Sequence, residues 1–204
     1  MPKPCWESIM WQGKATAALF EGRMDGTWLG SAEPWPIKRI YYHVLNAPCF
    51  CTDSAVRAAV RAAFAMWAPY CGITFQRRTD PKQAHIRVVW GIVLPSARRT
   101  SLPARKPFGW AQPVPAQEPD EIDHVDVFLN RLTPFSTKAA LNEREISDDY
   151  RDVQTTVAHE VGHALGLIHE FSDESALMFF RVPRLKRTLA ESDIAAARDR
   201  YGAG

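Results

Sequence analysis

Three of the chain's six histidines lie in the segment HEVGHALGLIHE, at positions 159, 163 and 169. In a helix, His159 and His163 would lie about 40° apart around the axis and about 6 Å apart along it. A continued helix would carry His169 away from them. Gly166 can adopt a positive φ angle and turn the chain back. The segment therefore predicts a helix that ends at Gly166, followed by a return of the chain toward the first two histidines.

These histidines form a candidate zinc site. Imidazole nitrogens bind Zn²⁺ at about 2.0–2.1 Å, and the spacing of His159 and His163 lets both rings reach one ion. His169 supplies a third ligand. Three protein ligands leave a fourth position for water, which is typical of a catalytic site rather than a structural one. Glu160 borders the metal-facing side without being a ligand. By chance, the full pattern would occur in roughly one chain of this length in 10⁵ at average residue usage.

The extended pattern HExxHxxGxxH resembles that of the metzincin clan of zinc peptidases. Within the clan the chain is similar to matrixins, because Ser175–Met178 resembles the methionine-containing turn (Met-turn) and the segment 189–202 resembles the closing helix. The resemblance implies a zinc endopeptidase in which the three histidines hold Zn²⁺. Glu160 is then the general base that takes a proton from a zinc-activated water and passes it to the leaving amine. Met178 supports the core beneath the metal and is not a ligand.

The resemblance also implies the fold. The expected class is α+β, a metzincin-type catalytic domain with a twisted mixed β-sheet, two long helices and a zinc cleft. A small C-terminal subdomain would contain the Met-turn and a final helix. We assign residues 37–204 to this catalytic domain, and residues 1–36, which show no clear period, to an N-terminal extension.

The chain departs from the family pattern at several positions. Glu170 follows the third histidine where matrixins usually have serine, an astacin-like feature. Two interpretations of Glu170 stay open, a partner for a metal-binding histidine or a solvated loop charge. No zinc-associated tyrosine follows the Met-turn, because Phe179 and Phe180 occupy those positions. The loop that holds a second zinc in vertebrate matrixins has no match, and His85 and His124 are interpreted as strand-face histidines rather than ligands.

Hydrophobic periodicity predicts the remaining elements. Strands are expected over residues 37–45, 73–76, 84–90, 108–112 and 122–129. A first helix begins near residue 53 and is closed by Pro69. The metal-binding helix begins near Asp149 after the capping residues Ser147 and Asp148. The last helix opens with a capping box from Thr188 to Glu191 and ends at Gly202.

The expected partner is a protein or peptide substrate bound as an extended strand along a sheet edge. Phe108–Gln112 is the candidate edge, and by resemblance Phe179–Pro183 would line the pocket for the residue after the cut. Its apolar start suggests a hydrophobic side chain there. A net charge of +2 and the lack of a long apolar run argue against nucleic acid and a membrane span. We expect a monomer.

The sequence constrains the cellular compartment and any further metal ions less than it constrains the zinc site. No secretory signal is visible at the start, yet a peptidase with disulfides would act outside the cell, so a secreted protein is the working expectation. A disulfide from Cys49 or Cys51 to Cys71 and buried free thiols are both open. Calcium is common in the resembling families, but the sequence shows no clean oxygen-ligand loop for it.

Two other functions remain as alternatives. A non-catalytic binding module could retain zinc as a clip for the fold, although a purely structural zinc has no use for Glu160. A latent peptidase could be blocked by its first 36 residues, and Cys5 offers a thiolate that would bind the zinc. Cleavage assays on the wild type, a Glu160→Ala variant and a form without residues 1–36 would separate these hypotheses.

Overall fold

The computed structural model of the protein describes residues 34–48, 51–91, 108–115, 122–137 and 150–202. The main sheet contains β1 (Arg39–Val44), β2 (Thr74–Arg77), β3 (Ile86–Gly91), β4 (Gly109–Pro115) and β5 (Ile122–Asn130). A small pair is formed by β6 (Phe135–Ser136) and β7 (Arg151–Asp152). The helices are α1 (Asp53–Cys71), α2 (Val153–Ala164) and α3 (Glu191–Tyr201), with a short 3₁₀ turn at Pro81–Gln83.

The main sheet is mixed, as expected. Its strand order is β2-β1-β3-β5-β4. The first four strands run parallel to their neighbours, whereas β4 runs antiparallel to β5. The strand expected near residues 108–112 is therefore present, and it forms one edge of the sheet. Together with the three helices, this arrangement confirms the α+β class of a metzincin catalytic domain.

The core lies between one face of this sheet and helices α1 and α2. Alternate residues of the central strands are buried, as the period-two pattern predicts. The buried hydrophobic residues of these strands are Ile40, Tyr42, Ile86, Val88, Trp90, Val125, Val127 and Leu129. The face predicted for α1, Val56, Val60, Phe64 and Trp67, is also buried. The indole Nε1 of Trp67 donates a 2.8 Å hydrogen bond to the Ala158 carbonyl, which fixes α1 against α2.

Helix α1 continues past Pro69, so the expectation that this proline closes the helix is wrong. The helix runs to Cys71 and ends at Gly72, whose φ of 59° is left-handed. Proline costs a helix one backbone hydrogen bond. Burial of Trp67 and Cys71 on either side of Pro69 holds this last turn in place, and the helix ends at the glycine.

Among the described helices, none is long and apolar enough to cross a bilayer.

Helix α2 begins later than expected. The predicted caps, Ser147 and Asp148, lie outside the described residues, and the observed cap is Asp152. Its carboxylate accepts hydrogen bonds from the Thr155 backbone N–H at 2.9 Å and from the Thr155 hydroxyl at 2.7 Å. The Arg187 guanidinium also pairs with this buried carboxylate. Asp152 therefore fixes the start of α2 and ties it to the segment that precedes α3.

Helix α3 also begins later than the expected box at Thr188–Glu191. It starts after Ala190, and the Asp193 carboxylate accepts a hydrogen bond from the Ala190 backbone N–H at 2.8 Å. Its end at Gly202, with φ of 80°, agrees with the prediction. Of the expected buried positions, Ala197 is fully buried, whereas Ile194 and Tyr201 are half-buried.

The open question on cysteines is answered for the described residues. Cys51 and Cys71 are free thiols, so the structure does not contain the disulfide to Cys71 that was one alternative. Burial raises the pKa of the Cys71 thiol to about 12, which keeps it protonated. Cys5 and Cys49 lie outside the described residues.

Candidate metal centre

Helix α2 places His159 and His163 on one face, and both rings are buried, with exposures of 1% and 5%. Two hydrogen bonds end the helix, from Gly166 N to His163 O at 2.8 Å and from Leu167 N to Gly162 O at 2.9 Å. This pair is a Schellman motif, which requires a left-handed residue, and Gly166 has a φ of 84°. The chain turns back after it, as the sequence predicts.

The return brings His169 to the other two histidines. One ring nitrogen of each histidine lies within 4.8 Å of the others, and His163 Nε2 is 3.1 Å from His169 Nε2. Ligand nitrogens around a tetrahedral zinc lie about 3.3 Å apart when each bond is 2.0–2.1 Å. The three side chains therefore fit a zinc ion, and they form the sole such cluster of three or more among the described residues.

Backbone carbonyls fix the orientation of two of the rings. His159 Nδ1 lies 2.8 Å from the Leu177 carbonyl, and His163 Nδ1 lies 2.8 Å from the Leu167 carbonyl. A carbonyl oxygen can only accept, so Nδ1 carries the proton in both rings and Nε2 is left as the metal donor. Burial is the main cause that lowers the pKa of His159 well below its ordinary range and that of His163 to about 4. Both imidazoles are thus neutral at pH 7, the form that binds metal.

Glu160 follows His159 on α2 and is 3% exposed. Burial raises the pKa of its carboxyl to about 8, and a hydrogen bond from the Ala111 backbone acts in the opposite direction. Oε1 lies beside β4, since a Cβ atom on Gly109 would be 3.2 Å from it. Within the described part of the chain, Oε2 has no hydrogen-bond partner although it is buried. The side chain therefore presents an unpartnered carboxyl oxygen at the junction of α2 and β4.

The Met-turn lies beneath the histidines. Met178 is 2% exposed and belongs to the hydrophobic core, which fits the expected supporting role. Its approach to α2 is so close that a Cβ atom on Gly162 would overlap Met178 Sδ and would lie 3.0 Å from Trp67 Cζ2. Glycine is thus needed at position 162 for packing, although its φ is ordinary for a helix.

We expect Gly162→Ala to lower the free energy of unfolding by about 1–3 kcal/mol, the usual cost of overpacking a core. Glycine to alanine within a helix normally stabilises by roughly 0.5–1 kcal/mol, so the sign itself is informative. Urea unfolding of Gly162→Ala, Met178→Ala and the double variant measures this effect. If Met178 is the obstacle, the double variant loses less free energy of unfolding than the two single variants lose in sum. Strict additivity of the two losses would contradict the packing argument.

Asp193 is a residue of the site that the sequence analysis did not single out. Its buried carboxylate accepts hydrogen bonds from the backbone N–H groups of Leu177 at 2.7 Å and Met178 at 2.9 Å. The carbonyl of the same Leu177 accepts the hydrogen bond from His159. Helix α3 therefore holds the Met-turn, and the Met-turn holds a metal-facing ring. An aspartate in the first turn of a helix is usually a dipole or capping residue, so its type alone gave no signal.

The hydrogen bonds of Glu170 run within its own loop, which fits a loop charge, one of its two interpretations. Its Oε1 atom accepts hydrogen bonds from the backbone N–H groups of Phe171 at 2.8 Å and Ser172 at 2.6 Å, and from the Ser172 hydroxyl at 2.6 Å. These bonds lower the pKa of the Glu170 carboxyl. The side chain therefore organises its own loop. The acceptor and the backbone N–H groups are only one to three residues apart in the chain. The sequence still does not show whether such a carboxylate bonds to its own loop or only to solvent.

His85 and His124, which the sequence suggests are strand-face histidines, lie outside the cluster. His124 Nε2 contacts Arg87 Nη1 at 2.9 Å, and its other nitrogen pairs with Asp123. His85 Nδ1 accepts a 3.0 Å hydrogen bond from the Tyr41 backbone. Both rings are thus used by the sheet.

The chain resembles known proteins over most of its length. A family model described as matrixin matches residues 34–202. Karilysin of Tannerella forsythia is 27% identical over 183 residues, which is 87% of this chain and 35% of the relative. Metalloendoproteinase 1 of Glycine max is 27% identical over 159 residues, 74% of this chain and 47% of the relative. The chain thus spans about a third to a half of the length of these two relatives.

Proposed function

Because the chain belongs to the matrixin family, we propose that it is a zinc-dependent endopeptidase that hydrolyses internal bonds of protein or peptide substrates. The observation that carries the proposal is the convergence of three histidine nitrogens within 4.8 Å of one another on a helix that also bears Glu160. A clip that only stabilised the fold would have no use for a buried carboxylate with an unpartnered oxygen beside its metal. The Glycine max relative is named a metalloendoproteinase, which supports the same reaction class.

His159, His163 and His169 would hold the zinc through one nitrogen each. When bound, zinc supplies Lewis acidity, which lowers the pKa of water toward 7 and polarises a carbonyl. The chain's own part is to keep the rings neutral and oriented. Hydrogen bonds to the carbonyls of Leu177 and Leu167 do this for His159 and His163. The Schellman turn at Gly166 delivers His169.

Glu160 would move the proton. Its Oε2 atom takes a proton from the attacking water, the water oxygen adds to the scissile carbonyl carbon, and the C–N bond then breaks. The same carboxyl passes the proton to the leaving amine nitrogen, so that a carboxylate is regenerated. The hydrogen bond from the Ala111 main chain supports this role, because it holds the carboxyl group while the Oε2 atom has no partner.

Strand β4 would bind the substrate backbone. It is the edge strand of the sheet, and the main chain at Ala111 reaches the Glu160 carboxylate, so this edge borders the candidate metal centre. An extended peptide can add to such an edge through main-chain hydrogen bonds. Phe179–Pro183 would line the pocket for the residue after the cut, and we expect an apolar side chain there.

The setting of the enzyme is part of the proposal. We propose that it acts outside the cell as a monomer, with residues 37–204 as the catalytic domain and residues 1–36 as an extension ahead of it. Trp35, within that extension, donates a 2.8 Å hydrogen bond from Nε1 to the Ala164 carbonyl at the end of α2, which supports attachment of the extension to the domain. A calcium site stays a prediction that no described residue cluster supports.

Metal removal tests the proposal. Zinc-loaded wild type is expected to cleave members of a mixed peptide library, to lose all cleavage when a chelator removes the metal, and to regain it when zinc returns. Native mass spectrometry, which reports zinc stoichiometry, is the independent readout. Stoichiometric zinc without cleavage, in both the full chain and a form lacking residues 1–36, would contradict the peptidase and favour a binding module. Cleavage by the trimmed form alone would indicate latency.

A further inference from the structure

Two exposed phenylalanine rings stack on each other beside the histidine cluster. The exposures of Phe171 and Phe180 are 68% and 41%. Their ring centroids are 5.5 Å apart, and their planes are inclined by 24°. The centroid of the Phe171 ring is 6.2 Å from that of His169, edge to face. We call Phe171 and Phe180 the aromatic platform.

Hydrogen bonds and ring contacts of neighbouring residues support the platform. Glu170 fixes both of its members, because its carboxylate accepts the Phe171 N–H at 2.8 Å and its carbonyl accepts the Phe180 N–H at 3.0 Å. The buried ring of Phe179 packs against Phe180 with centroids 4.7 Å apart. The Arg181 guanidinium lies 5.1 Å from the centroid of the Phe180 ring. The backbone at both rings is thus hydrogen-bonded, and the rings stack on each other while they remain exposed to solvent.

The fold itself gives no reason for this exposure. Neither ring belongs to the hydrophobic core or to the partly buried residues packed against it. Adjacent exposed apolar side chains generally mark an interaction site. Aromatic rings are favoured at such sites because they offer a large contact area with few torsions to order.

The position of the platform selects its occupant. A peptide that brings a carbonyl to the three histidines lies close to His169, and Phe171 is an exposed neighbour of that ring. An extended peptide advances about 3.3 Å per residue. A side chain within two or three residues of the scissile bond can therefore reach the platform. Its rings offer a contact area that a large apolar side chain would cover.

We propose that the aromatic platform is a docking site for one large apolar side chain of the peptide substrate, with Phe171 as a specificity-determining residue. This proposal rests on the proposed peptidase function. Phe180 also belongs to the segment Phe179–Pro183 that is expected to line the pocket after the cut, and the new element of the proposal is Phe171, which follows the third histidine. The proposal also assigns a purpose to Glu170, whose hydrogen bonds build the surface on which the substrate side chain would lie.

The test compares wild type, Phe171→Ala, Phe171→Tyr and a control, Leu45→Ala. The exposed fraction of Leu45, 39%, is similar to that of Phe180, but Leu45 lies just after β1 and is not part of the platform. Substrates are peptides in which each position around the cut carries either alanine or a large apolar residue. We expect wild type to prefer the apolar residue at one such position. Phe171→Ala should reduce that preference about tenfold in kcat/KM, mainly through KM. Phe171→Tyr and Leu45→Ala should retain it.

Three results would overturn the proposal. Phe171→Ala with an unchanged preference would show that the platform does not touch the substrate. An equal loss of kcat/KM for all peptides, including those with alanine, would indicate that Phe171→Ala disturbs the loop in general and does not remove a docking contact. If zinc-loaded wild type cleaves no peptide, the peptidase function fails and the docking site fails with it. In the first two cases the peptidase function stands while the docking site does not.

Discussion

Glu160→Gln is expected to lower kcat about 10³–10⁴-fold, the upper range for the loss of a positioned general base. The amide has nearly the shape of the carboxylate but cannot take a proton from water. Because Glu160 is not a proposed ligand, zinc stoichiometry should stay that of wild type. The free energy of unfolding should change little or rise, since the variant replaces a buried ionisable group whose pKa is already raised to about 8.

The matched control is Glu174→Gln, which makes the same chemical change at an exposed glutamate of the loop after His169. Its kcat should equal that of wild type. Peptide cleavage under saturating substrate and native mass spectrometry measure kcat and zinc separately. If Glu160→Gln retained more than about a tenth of the wild-type kcat, another group would have to move the proton, and the proposed mechanism would be wrong.

The histidine cluster was predictable from sequence because its information is local. His159 and His163 are placed by helix periodicity alone, and the return of His169 needs only a left-handed residue at Gly166. The alternation in β3 and β5 likewise predicts which residues are buried, since a strand's side chains alternate regardless of what it pairs with. The five strands of the main sheet and the three helices were therefore found, with bounds that shift by a few residues at several ends, whereas β6 and β7 were not predicted.

What the sequence did not predict depends on partners distant along the chain. Pro69 resembles a helix stop, and only the burial of Trp67 and Cys71 shows why the helix continues. The cap of α2 moved to Asp152 because Arg187, far along the chain, pairs with it. Local sequence rules identify several polar residues as possible helix caps. They do not determine which of these residues caps the helix, because that depends on tertiary partners.

Glu170 and Phe171 illustrate the same limit at the site. A charged residue after the third histidine suggested either metal chemistry or solvent, yet the structure uses it to cap backbone N–H groups. Phe171 carried no motif, and its interest lies in being exposed, stacked and next to His169 at once. Those three properties belong to the folded surface and not to the residue type.

Asp193→Ala is expected to lower the free energy of unfolding by about 3–5 kcal/mol, because it leaves three backbone N–H groups without an acceptor in or beside the core. The groups are those of Leu177, Met178 and Ala190. The control is Asp199→Ala on the same helix, where the side chain is exposed and the loss should stay within about 0.5 kcal/mol. Urea unfolding of both variants measures the difference.

A conservative variant separates anchoring of the Met-turn from a general loss of stability. Asp193→Asn keeps one oxygen, which can still accept from Leu177 and Ala190, while its NH₂ group opposes the Met178 N–H. Its stability should therefore fall between those of wild type and Asp193→Ala. Because the Leu177 peptide also orients His159, zinc affinity should fall in the same order, about tenfold or more for the alanine variant. Zinc competition measured below the unfolding transition tests this. Wild-type affinity in a destabilised but folded Asp193→Ala protein would show that α3 supports the domain without positioning the histidine.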